Sequence, residues 1–222
     1  MTRKRVSEGR GETREAGIRP YHHGDLRRAL LDAALGILRE EGAAALTLRA
    51  VARAAGVSQA APYRHFADRA ALVAGVAEES FGRLRESMLR AVERSSGGDG
   101  RRALRQIAFS YLDFAFEHPA EYRVMFGPDL TSRGENLPEG FAAARLSVFE
   151  LLRQGIVRLQ QAGRVRPVDP TQMALSAWAL VHGLAMLTLD GQVANSGGVP
   201  PREVARTATD LIMHGMAARP SD

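Results

Sequence analysis

Two short helical runs hinged on a single glycine constrain this chain more than any other feature. Thr47 is placed to cap a run in which Leu48, Val51, Ala52 and Ala55 share one face at helical spacing, and Gly56 ends that run after two turns. Ser58 is placed to cap a second short helix through Val57-Ser58-Gln59-Ala60-Ala61-Pro62-Tyr63-Arg64-His65-Phe66, and Asp68 begins a third immediately afterwards. Small Ala52 lets the two helices approach, Gly56 takes the backbone conformation of a tight turn, and Val51 and Val57 fill the angle. This is the layout of a helix-turn-helix. An αα corner with no nucleic-acid role has the same outline, so the surrounding chain has to decide between the two.

Charge favours a polyanion. The 222 residues carry a net charge of +5, and all of it lies in the first third: 13 Lys or Arg stand against 8 Asp or Glu through residue 70, and 17 against 17 beyond it. A basic segment joined to a neutral remainder suggests a nucleic-acid-binding module fused to a module with another task. Residues 1–20 are polar and glycine-containing with no period that could bury a face, so they read as a disordered basic arm in which Arg3, Lys4 and Arg5 could reach phosphate. From Gly24, Leu26, Leu30, Ala34, Ile37 and Leu38 recur at three- and four-residue steps, giving an amphipathic helix over 24–41.

The first helix ending in EEGAAALTLRAVARAAGVS, the block Tyr63-Arg64-His65-Phe66, and Asp68-Arg69 followed by Ala71-Leu72 resemble the N-terminal domain of the TetR family of bacterial transcriptional regulators. The resemblance covers residues 21 to about 84. It implies an all-α chain with an N-terminal three-helix DNA-binding domain over 21–67 and a helical ligand-binding and dimerisation domain over 68–218. It also implies roles: Thr47 is a phosphate contact at a helix N-terminus, Tyr63 and His65 are backbone contacts, and Arg69 stands where the family usually has a phosphate-binding lysine. Ser58, Gln59, Ala60 and Arg64 fall in the recognition segment. Gln59, Ala60 and Arg64 are the candidates for reading bases, since Gln pairs with adenine, Arg with guanine, and a small residue admits a thymine methyl. Phe66 reads as core. Pro62 departs from a regular recognition helix, because its ring removes a donor and disfavours helical geometry at Ala61.

In the remainder, a helix from Asp68 past Leu89 toward Arg94 joins head to body, and a Ser/Gly run over 95–100 breaks it. Further helices are expected over 101–117, 121–126, 139–162, 170–193 and 201–217, with a loop over 127–138. Phe109, Leu112, Phe116, Tyr122, Met125, Phe126, Phe149, Trp178 and Met186 have few charges near them and are candidates for an apolar effector pocket, although such residues are also what a plain core uses. The helix holding Trp178 is apolar nearly all round, which calls for a membrane span, a core or an oligomer interface. Ser176, His182 and Gly183 interrupt it and argue against a span. In resembling proteins the last two long helices form a two-fold bundle, which makes Leu175, Leu184, Leu211 and Ile212 candidate dimer contacts.

The inventory also excludes. There is no cysteine, hence no disulfide framework, thiolate metal site or cysteine nucleophile. The one lysine, Lys4, precludes a Walker loop, and no G-x-S-x-G or H-E-x-x-H occurs. His118, His182 and His214 are isolated helix histidines, more often structural than metal ligands. No cofactor is expected, and the first twenty residues lack a signal-peptide core, so a cytoplasmic location is expected. The sequence thus points to a homodimeric regulator, not an enzyme, that binds double-stranded operator DNA as an inverted repeat and answers to a small apolar or aromatic effector. Two competitors remain: a nucleic-acid binder without sequence preference, separable by competition binding, and a helical-bundle catalyst, separable by turnover.

Overall fold

The computed structural model describes residues 23–95, 100–131, 138–195 and 197–217. The basic arm, with Arg3, Lys4 and Arg5, lies outside them, as do parts of the breaks after residues 95, 131 and 195. Every regular element described is helical: α1 (His23–Glu41), α2 (Leu48–Ala54), α3 (Arg69–Arg94), α4 (Arg101–Glu117), α5 (Pro119–Met125), α6 (Pro128–Thr131), α7 (Glu139–Gln161), α8 (Pro170–Leu189), α9 (Gln192–Asn195) and α10 (Pro201–Met216).

The corner forms as its residues require. Thr47 Oγ1 accepts from the Ala50 N–H at 3.1 Å, fixing the start of α2. Its end is a Schellman closure: Gly56 sits at φ +67°, its N–H reaches Arg53 O at 3.2 Å, and the Val57 N–H reaches Ala52 O at 3.0 Å. The expected α-helix capped by Ser58 does not form. Pro62 has no N–H for Ser58 O, so the Ala61 N–H takes that carbonyl at 3.0 Å, and the segment continues as a single 3-10 turn over Pro62–Arg64. Pro62 itself is buried. Asp68 caps α3, its carboxylate accepting from the Ala71 N–H at 2.7 Å. Phe66 then seals the head from below, so close to α3 that a Cβ on Gly75 would stand 2.9 Å from its ring.

The helix over 121–126 begins earlier, at Pro119, because proline tolerates the first turn where its missing donor is not needed. The loop after Gly127 contains the helical turn α6. The helix expected to reach residue 193 stops at Leu189, where Gly191 at φ +74° separates it from α9.

Around α3 the body closes: α4, α5 and α7 pack on it, α8 lies against α4 and α7, and α10 against α4 and α8. The core runs unbroken from Leu30 and Leu38 in α1 through Leu72, Phe81 and Leu84 to Tyr122, Phe141 and Ile156. Polar ties close the edges. Arg123 reaches Leu189 O and the Asp190 carboxylate at the C-terminus of α8, and Arg105 pairs with Asp210 across α4 and α10. By length and composition α8 could cross a bilayer, yet Met173, Ala174, Ala177, Val181, Leu184 and Ala185 are buried against the rest of the chain.

Candidate nucleic-acid interface and effector cavity

On the head, Ser58, Gln59, Ala60, Tyr63 and Arg64 stand together on one exposed surface, with His65 half-buried beside them. Tyr63 is 53% exposed, unusual for a large ring in a folded chain. The cap at Thr47 uses its oxygen as acceptor, which leaves the hydroxyl proton of this exposed residue free to donate. Arg69 lies differently from a free phosphate ligand. Its Nε and Nη2 donate to Leu46 O at 3.0 Å and Ala43 O at 2.9 Å, and Nη1 pairs with Asp129 at 2.8 Å. It therefore ties the entry to α2 to α6 of the body.

A second tie is buried. Glu121, on α5, has no exposed surface, and its Oε1 accepts from Arg39 Nε and Nη2 of α1 at 3.0 and 2.9 Å. Its Oε2 accepts from Arg83 of α3 and from the Ser80 hydroxyl, and His118 stands 3.7 Å from Oε1. One carboxylate thus joins the head to two helices of the body, and its cationic partners compensate the cost of burying it. Sequence reading missed it, and no local pattern could have shown it: Arg39 and Arg83 lie 82 and 38 residues away in the chain.

Inside the body a cavity of about 540 Å³ opens between α3, α4, α7, α8 and α10. Of the residues expected there, Phe126, Phe149 and Trp178 line it, together with Tyr111, Leu152, Val181 and Met213 among others. The rest do not. Leu112, Tyr122 and Met125 are buried in the core, Phe109 and Met186 pack against it, and Phe116 lies at a separate cleft beside Pro200 and Pro201. Leu175 and Ile212, expected at a dimer contact, line the cavity, with Leu175 still 47% exposed, and Leu184 is buried within its own chain because it falls on the inner face of α8.

A polar cluster closes the cavity wall. Trp178 Nε1 donates to the Tyr111 hydroxyl at 3.1 Å, the Tyr122 and Tyr111 hydroxyls stand 2.9 Å apart, and they lie 2.7 and 2.9 Å from His182 Nδ1. Burial pushes Tyr111 up to about 12, raises Tyr122 further with help from the neighbouring phenol, and lowers His182. At neutral pH these are two phenols and a neutral imidazole, a set of uncharged groups that satisfy one another. The His118 ring stands by Glu121 and that of His214 by Asp210 O, and no group of three or more potential metal ligands occurs among the described residues.

A helix-turn-helix head, carried on an all-helical body that encloses an apolar cavity, defines a class of DNA-binding regulators. Residues 30–76 match the family described as bacterial regulatory proteins, tetR family, and residues 104–214 match the tetracyclin repressor-like C-terminal domain. A structure of a protein with unknown function from Rhodococcus sp. RHA1 is 36% identical over 90% of this chain and 100% of that one, with a TM-score of 0.78. A TetR family transcription regulator from Marinobacter aquaeolei VT8 is 22% identical, with 87% of this chain and 96% of that chain covered and a TM-score of 0.65. One from Thermus thermophilus is likewise 22% identical, over 85% of this chain and 99% of that one, with a TM-score of 0.62. The chain belongs to the TetR family of transcription regulators, and its partner is DNA.

Proposed function

We propose that the protein is a cytoplasmic, ligand-responsive repressor that binds an inverted-repeat operator as a homodimer, with a head over 21–67 and a regulatory and dimerisation body over 68–218. The observation that carries this reading is the placement of α5. Glu121 on this short helix holds Arg39 of the head, while its neighbour Tyr122 hydrogen-bonds to Tyr111 of the cavity wall and Phe126 lines the cavity itself. A molecule that enters the cavity and displaces Phe126 or Tyr111 moves the helix that grips α1, and so biases the position of the head. Linkage then requires DNA to weaken the ligand by the same factor that the ligand weakens DNA.

For DNA, Gln59, Ala60 and Arg64 read bases, Thr47, Ser58, Tyr63 and His65 contact the backbone, and Arg69 supports them by holding the entry to α2. For assembly, the outer face of α8 presents Leu180 and Leu187, and α10 presents Leu211, all more than half exposed. Such a stripe on two adjacent helices suits a self-complementary bundle. Selection of bound sites from random duplexes, followed by titration at several salt concentrations, tests the reading. An inverted repeat and an affinity that falls steeply with salt are expected. A single asymmetric half-site, or affinity indifferent to salt, refutes it.

A further inference from the structure

The cavity has chemistry specific enough to name what fills it. Of its polar lining groups, the Tyr111 hydroxyl and Trp178 N–H are bonded within the aromatic cluster, and the Thr209 hydroxyl donates to Ala205 O at 2.7 Å. The donors of these groups are thus engaged, and an acceptor on the ligand body would have to break an existing bond to gain one, so the body of the ligand is mainly apolar. No Asp or Glu among the described residues lines the cavity. One lining residue remains, Arg145, and it falls in register with Ala142, Phe149 and Leu152 along α7, three and four residues apart on the stripe that faces the cavity. It is exposed, as is its neighbour Leu146 at 62%, so this part of the stripe forms the mouth. Phe141, Ala142, Val148 and Phe149, the positions three and four residues away on α7, include no acid, and Arg145 makes no ion pair or hydrogen bond among the described residues.

A guanidinium with no partner among the described residues, in an otherwise apolar stripe at the mouth of an apolar cavity, is a receptor for one negative charge on a long greasy body. We propose that the effector is an anionic amphiphile, such as a long-chain carboxylate, whose chain fills the cavity and whose head group pairs with Arg145. The inference rests on the ligand-responsive reading above. It excludes cationic ligands, which meet no acid in the cavity and a like charge at its mouth.

Three probes of one chain length, dodecanoate, dodecanol and dodecyltrimethylammonium, kept below micelle-forming concentrations, decide it on the full chain, with the emission of Trp178 in the cavity wall as readout. Dodecanoate is expected to bind about tenfold more tightly than dodecanol, as one charge-assisted contact at a solvent-facing mouth provides, and the cation more weakly than either. Arg145→Gln should bring the first ratio to about one without changing dodecanol affinity, and Arg145→Lys should keep most of the preference. A preference that survives in Arg145→Gln, an alcohol or cation that binds as well as the carboxylate, or no binding by any probe overturns the assignment. Operator affinity in the same titrations separates this from the switch itself. Head-group preference without operator release leaves the ligand class standing and removes the switch, whereas operator release that ignores the head group does the reverse.

Discussion

Removing the charge of Glu121 while keeping its shape tests the joint between head and body directly. Glu121→Gln leaves one carbonyl oxygen to accept hydrogen bonds and turns the other site into an amide that faces guanidinium donors, so either Arg39 or Arg83 loses its acceptor. Loss of a fully buried ion-pair partner costs about 3–5 kcal/mol, but the Arg39 and Arg83 side chains are 49% and 31% exposed, and water can take over part of their bonding. That reduces the expected destabilisation to roughly 2–3 kcal/mol, the scale of one or two charge-assisted hydrogen bonds. Arg39→Met keeps the aliphatic stem and leaves Glu121 with Arg83 and Ser80, so roughly 1–2 kcal/mol is expected. The double variant should fall short of the sum of the two, because both remove the same interaction. Urea denaturation followed by circular dichroism, at fixed protomer concentration, measures all three. Glu121→Gln within about 0.5 kcal/mol of the parent, or strict additivity with Arg39→Met, refutes the argument that this carboxylate holds the head.

Three other outcomes follow from the geometry. Arg64→Ala and Gln59→Ala should alter which base is preferred, at about 1–3 kcal/mol for a bidentate contact, whereas Thr47→Val and Arg69→Ala should weaken all sequences alike, as competition binding against site variants will show. Leu180→Glu with Leu211→Glu should release monomers that stay helical and bind operator poorly, and light scattering of an unchanged dimer would remove these faces from the interface. Burial holds His182 below its ordinary value of 6.5, so below that pH the unfolded chain takes up the proton first: stability is full above 6.5 and declines as the pH falls through the interval down to the folded-state value. His182→Asn, which keeps an acceptor near Nδ1, should flatten that decline in denaturation midpoints measured across pH.

What could be read in the sequence was whatever the chain writes locally. The cap at Thr47, the glycine closure at Gly56, the cap at Asp68 and the distortion at Pro62 each depend on residues within four or five positions, and each is where the sequence places it. The cavity was legible only in part, with three of the nine expected residues lining it. Aromatic and Met residues at helical spacing marked a body rich in apolar surface, but only the packing of α3, α4, α7, α8 and α10 decides that Trp178 faces the cavity while Leu112 is core. The same limit applied to Leu184, one residue among many on a helix apolar all round, whose inner face is set by its neighbours. Glu121 was illegible, since a carboxylate in the first turn of a short helix is ordinary until Arg39 and Arg83 arrive from elsewhere in the chain.

The buried proline of the recognition segment separates two jobs that a regular α-helix would combine. Pro62 and Phe66 face inward and hold the turn in place, while Gln59, Ala60 and Arg64 face outward and make no side-chain hydrogen bond or ion pair among the described residues. Exchanges at those three outward positions should change stability by no more than about 0.5 kcal/mol. With base reading assigned to these positions as proposed above, specificity and folding are carried by different side chains, and a library built at 59, 60 and 64 should yield folded heads of altered specificity at high frequency.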